Sequence, residues 1–104
     1  MLTHTYAGIA VNVNEQGYLT ESSQWSHNVA AAIAEELNIE LTTEHWRVID
    51  FAREDYSSSG KSPGLRRISK KGGVPTKELY SLFPRGPGKL IARVAGLPKP
   101  KSCL

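Results

Sequence analysis

The chain has 104 residues, 39% hydrophobic and 22% charged, with a formal net charge of +3 and a single cysteine. That is the composition of one globular domain with a modest core, and it leaves no room for a second. No apolar run approaches the roughly 18 residues of a membrane helix, no basic-then-apolar leader is present, and a lone thiol excludes an internal disulfide, so a cytoplasmic protein without a membrane partner is expected.

At the amino end, "YAGIAVNVNEQGYLT" alternates at Ile9, Val11 and Val13, then offers turn residues at 14–17 and strand formers at Tyr18 and Leu19. This predicts a small antiparallel hairpin or meander, which needs a packed helical face to be stable. The next stretch, "SSQWSHNVAAAIAEELN", predicts a helix capped by Ser22 or Ser23, with Trp25, Val29, Ile33 and Leu37 in one apolar stripe. A second helix, "LTTEHWRVIDFAREDY", starts at a Thr42 or Thr43 cap, carries Glu44 in its first turn, and buries Trp46, Ile49, Phe51 and Tyr56.

The run "SSSGKSPG" reads as a loop. After it come three short helices. "PGLRRISKK" is stopped by Gly72 and Gly73; "TKELYSLF" turns Leu79, Leu82 and Phe83 inward; "PGKLIARVA" begins near Pro87, buries Leu90, Ile91 and Val94, and stops at Gly96. The expected architecture is therefore α+β: a small β-meander packed on an array of about five helices, winged-helix-like, occupying 1–96. A mobile arm follows over 97–104, carrying Cys103.

Charge divides unevenly along the chain. Residues 1–55 hold Arg47 and Arg53 against nine acidic side chains, whereas 56–104 hold eleven basic side chains against Glu78 alone. A cationic half attracts an acidic protein face or a nucleic-acid backbone, although two opposite halves can also neutralise each other on folding. Arg66, Arg67, Lys70 and Lys71 fall on one short helix after a turn, a nucleic-acid-binding pattern in a winged helix-turn-helix, but no aromatic residues interleave with them. Arg85, Lys89 and Arg93 are the alternative set, fit to dock an acidic partner or to form a solvated helix side.

Metal and hydrolase chemistry is not expected. His4, His27 and His45 lie on separate elements and read as surface or helix-face residues, so they make no zinc set with a terminal cysteine. A nucleophile on a terminal arm also lacks the rigid pocket and oxyanion donors of a cysteine hydrolase. "PRGPGK" lacks the spacing of a phosphate loop.

The carboxyl end, "LFPRGPGKLIARVAGLPKPKSCL", resembles the DsrC/TusE/DsvC family of sulfur-relay proteins in its "LFP.GP.K" block, its "AGLP.P" arm and its penultimate cysteine. "GYLTESSQW", "LTTEHWRVIDFAREDY" and "SPGLRRISK" extend the resemblance over nearly the whole chain. Two departures stand out: the second cysteine of the sulfite-reductase branch, eleven positions before the penultimate one, is Ala92 here, and the segment between Lys71 and Glu78 is short.

The resemblance implies a TusE-like persulfide carrier, a sulfurtransferase acting through Cys103 without metal or cofactor. It implies a TusBCD-like persulfide donor complex upstream and a tRNA thiouridylase downstream, with tRNA engaged indirectly and the free protein a monomer. A DsrC-like gamma or accessory subunit of dissimilatory sulfite reductase is the first alternative; a winged-helix nucleic-acid-binding regulator is the second. Lys99 and Lys101 favour the thiolate and join Arg85, Lys89 and Arg93 as docking residues, while the terminal carboxylate opposes them. With Pro98 and Pro100 stiffening it, an arm leaving at Gly96 reaches roughly 20 Å.

Overall fold

The computed structural model describes residues 2–100. Two strands, β1 (Leu2–Tyr6) and β2 (Ile9–Val13), precede five helices: α1 (His27–Glu36), α2 (Thr43–Ser59), α3 (Leu65–Gly72), α4 (Thr76–Leu82) and α5 (Pro87–Val94). The α+β expectation holds. The strands pair antiparallel from Leu2↔Val13 to Tyr6↔Ile9. Ala7 and Gly8 make the turn with φ of 54° and 77°, the double-positive geometry that matches the twist of a two-residue hairpin. The turn expected at 14–17 returns the chain to β2 at one bridge only, Val13↔Leu19. Its backbone is nonetheless spent: Asn14 N–H bonds Tyr18 O and Thr20 N–H bonds Asn12 O, both at 2.9 Å, while Gln24 Oε1 accepts from Asn12 N–H at 2.7 Å. The hairpin precedes every helix and its β1 packs on α1.

Three local expectations shift. The cap of α1 is Ser26, whose Oγ accepts from Val29 N–H at 3.2 Å, and not Ser22 or Ser23, which belong to a single 3₁₀ turn at Ser22–Gln24. Trp25 therefore stands ahead of the helix in extended backbone, and the buried stripe of α1 is Val29, Ala30, Ile33 and Ala34. Helix α2 runs on to Ser59, whose Oγ–H donates back to Asp55 O at 3.0 Å, and Gly60 supplies the left-handed residue that ends it. Gly72 remains inside α3, and Gly73, at φ 72°, is its stop.

Of the histidines read as surface or helix-face residues, His45 lies on helix α2 but faces inward. His45 is buried at 6% exposure, because it closes the α2 capping box. Its Nδ1 accepts from Thr42 N–H at 3.0 Å, which leaves Nε2–H to donate to Leu82 O at 2.7 Å. One side chain thus satisfies the start of α2 and the end of α4 together.

A single core joins Val11 and Val13 of β2 to Ile33, Ile49, Ile68, Leu79, Phe83 and Ile91, one or more from each of the five helices and the α4–α5 turn. Leu97, beyond α5, belongs to it at 1% exposure, and Pro100 is buried as well. The packed body thus passes the boundary expected at Gly96.

Candidate functional site

Three elements converge on the root of the arm. Helix α5 stops at Ala95, and Gly96 takes φ 70° so that the chain can turn back and bond Leu97 N–H to Ala92 O at 2.9 Å. A helix end leaves its last carbonyls without intrahelical partners. Here they are taken from a distance: Trp25 Nε1–H donates to Val94 O at 2.8 Å, and Arg53 Nη1–H donates to Ala95 O at 2.8 Å. The Arg53 guanidinium also lies 4.0 Å over the Trp25 ring, and burial pulls it below its ordinary value. Past the glycine, Ser62 Oγ–H donates to Pro98 O at 2.6 Å.

Beside this root is a cationic groove of about 270 Å³ lined by Gln16, Tyr18, Arg85, Lys89, Leu90, Arg93 and Lys99. It gathers four of the five docking candidates from the α4–α5 turn, α5 and the arm, and none of the described residues lining it is acidic. Arg85 and Lys89 are exposed. Arg93 is half-buried: a Cβ at Gly17 would meet its Nη2 at 2.9 Å, and its Nε is buried without a hydrogen-bond acceptor among the described residues. Its charge also acts on Tyr6, whose hydroxyl is pushed up by burial and by Glu36 and held down in part by Arg93. Lys99 faces a second cleft as well, about 400 Å³ between the arm and Tyr56, Gly60, Lys61, Ser62 and Gly64.

The α3 cluster is arranged differently. Arg67 grips Asp55 of α2 through both ends of its guanidinium, Nε at 2.8 Å from Oδ2 and Nη2 at 2.8 Å from Oδ1, a pairing that raises the Arg67 value further. Lys71 lines a cleft together with Asp50, Glu54 and Asp55. Arg66 and Lys70 are exposed. Of the four cations in the alternative nucleic-acid set, Arg67 and Lys71 thus lie against the acidic side of α2, and Arg67 is already ion-paired.

Cys103 and Lys101 lie outside the described residues. Ala92, the position of the missing second cysteine, is buried at 3% in the inner face of α5. His4, His27 and His45 stay on β1, α1 and α2, and no three potential metal ligands converge among the described residues. Sequence reasoning missed Arg53 and Ser62. The available signals were a second arginine in a helix rich in acidic residues and a Ser-Pro turn following a glycine.

Comparison with known proteins gives the same result along the whole chain. The family model for DsrC like protein matches residues 5–104. Sulfurtransferase TusE of Escherichia coli (strain K12) is 41% identical over 108 aligned positions, covering 95% of this chain and 97% of that protein. Among solved structures, the NMR structure of Allochromatium vinosum DsrC is 41% identical, covers 98% of this chain and 97% of its own, and superposes with a TM-score of 0.83. A crystal structure of dissimilatory sulfite reductase I (DsrI) contains a chain that is 36% identical, with 99% and 100% coverage and a TM-score of 0.87. The chain belongs to the DsrC-like protein family, and it is a sulfurtransferase of the sulfur-relay type.

Proposed function

We propose that this member of the DsrC-like family carries sulfur as a persulfide on Cys103 and passes it toward tRNA wobble 2-thiouridine synthesis in the cytoplasm. The observation that carries the reading is the single thiol, one residue from the carboxyl end, in a chain alike over nearly its full length to a sulfurtransferase. The Cys103 thiolate attacks the outer sulfur of a donor persulfide, the donor's S–S bond breaks, and the donor departs as a thiolate while Cys103–S–S⁻ forms. The mirror step delivers that sulfur to the next nucleophile. One zero-valent sulfur atom moves each time, so the relay consumes no external oxidant or reductant.

Its partners, on this reading, are a TusBCD-like donor complex and a downstream tRNA thiouridylase. Arg85 and Lys89 supply the steering charge, with Lys99 and the half-buried Arg93 completing the cationic face, and Lys101 is a further docking candidate by sequence. The likeness to sulfite-reductase chains supports a second reading, an accessory subunit of that enzyme. Ala92 weighs against it, because one thiol cannot form a disulfide or trisulfide within the chain.

Intact-protein mass spectrometry tests the assignment. After incubation with a persulfide-loaded donor the wild type gains about 32 Da, one sulfur atom, removable by thiol reductant. Cys103→Ser and Cys103→Ala keep the wild-type melting temperature and gain nothing, since a hydroxyl or methyl group cannot replace the thiolate. A Cys103→Ser protein that still passes sulfur onward removes the assignment.

A further inference from the structure

We propose that Trp25, Arg53 and Ser62 are positioning residues that clamp the root of the arm and so set the point and direction from which Cys103 is presented. The inference rests on the sulfur-carrier reading and adds to it a place in the fold where aim is decided. Five consecutive residues are held. Val94 and Ala95 give their carbonyls to Trp25 and Arg53; Gly96 lies flush on the indole, where a Cβ would fall 2.4 Å from Cδ1; Leu97 is in the core; Pro98 gives its carbonyl to Ser62. The three side chains come from the segment before α1, from α2 and from the α2–α3 loop, so the root is referenced to three separate parts of the body.

Satisfying a helix end does not require this. One glycine motif or one bound water suffices for an exposed carbonyl. Here a charged donor, the stronger kind, is half-buried over an indole to do it, and the guanidinium also complements the negative end of the α5 dipole. The consequence is a shorter tether. From Pro98 to Cys103 the chain has five residue steps and spans at most about 17 Å, and from the buried Pro100 three steps and about 10 Å, against about 24 Å for the seven steps from Gly96. A shorter tether on a fixed base raises the local concentration of the thiol at a docked partner and restricts its angle of approach.

The test separates aim from reactivity. Arg53→Met keeps the packing stem over Trp25 and removes the guanidinium; Arg53→Lys restores a cation that reaches Ala95 O; Ser62→Ala releases Pro98 alone. For each, sulfur gain on Cys103 is timed with two donors, the relay donor protein loaded as its persulfide and inorganic polysulfide. The distance distribution from the tryptophans to an acceptor dye on Cys103 is measured by time-resolved energy transfer. Arg53→Met is expected to slow transfer from the protein donor roughly tenfold, leave the polysulfide rate unchanged and broaden the distribution, with Arg53→Lys recovering part of the loss. Ser62→Ala does the same more weakly without lowering the melting temperature, and so stands in if Arg53→Met does not fold. An unchanged protein-donor rate with an unchanged distribution overturns the clamp, as does equal slowing with both donors, which indicates altered thiol chemistry. Wild-type protein that takes sulfur from neither donor refutes the carrier reading instead, and the distance distributions still decide the clamp.

Discussion

Helices α3 and α5 invite comparison. Each is eight residues long, each is associated with four cations, and each ends at a left-handed glycine, Gly73 with φ 72° and Gly96 with φ 70°. Their surroundings separate them. Of the α3 cations, Lys71 shares a cleft with Asp50, Glu54 and Asp55 of α2 and Arg67 is bound to Asp55 in a bidentate pair, while Arg66 and Lys70 are exposed. The α5 cations open onto a groove whose described lining contains no carboxylate. The two stops differ likewise: an added Cβ at Gly73 meets nothing within 4 Å, while at Gly96 it meets the Trp25 ring. Equal charge in sequence becomes unequal availability in the fold, and an ordinary helix stop becomes a fixed pivot only where another element closes on it.

The glycine stops give the largest effect. Gly96→Ala incurs both the left-handed penalty and displacement of the indole, about 3 kcal/mol together, and thermal unfolding should fall by roughly 15 °C. Gly73→Ala incurs the backbone penalty alone, about 1 kcal/mol and roughly 5 °C. Equal losses at the two sites would erase the distinction between an open stop and a clamped one. Asp55→Asn is the smallest change, because its partner Arg67 is half-exposed and the pair is screened by solvent. That variant should melt within a few degrees of wild type and elute later from a heparin column, because Arg67 is released to bind polyanions. Unchanged elution would mean that α3 is already as available as α5.

Much of this contrast could be read before the structure, and the unread part has a common cause. Local patterns placed all five helices: the Thr42 cap, the apolar spacing of α1, Pro87 at the start of α5 and the glycine stops act within a few residues. The family blocks singled out Cys103, which lies outside the described residues. β1 and its turn at Ala7 and Gly8 escape the sequence reading, which puts the hairpin turn at 14–17, because Leu2, Thr3, His4 and Thr5 are exposed and carry no strong apolar alternation. Burial of His45 depends on Leu82, 37 residues away; the pairing of Arg67 depends on Asp55, 12 away; the grip on α5 depends on Trp25 and Arg53, 69 and 42 away. Such partners are chosen by packing, and no local periodicity encodes them.

On the proposed function, sulfur enters at Cys103 through the α5 face. The most direct measurement is the rate at which the relay donor protein, loaded as its persulfide, adds about 32 Da to wild type, to Arg85→Glu/Lys89→Glu and to Arg66→Glu/Lys70→Glu, at low and physiological salt. Reversal on α5 should slow uptake roughly tenfold at low salt and flatten its salt dependence, while reversal on α3 leaves both near wild type. Wild-type uptake by the α5 variant, together with slowed uptake by the α3 variant, would contradict the account and move the docking face to the other helix.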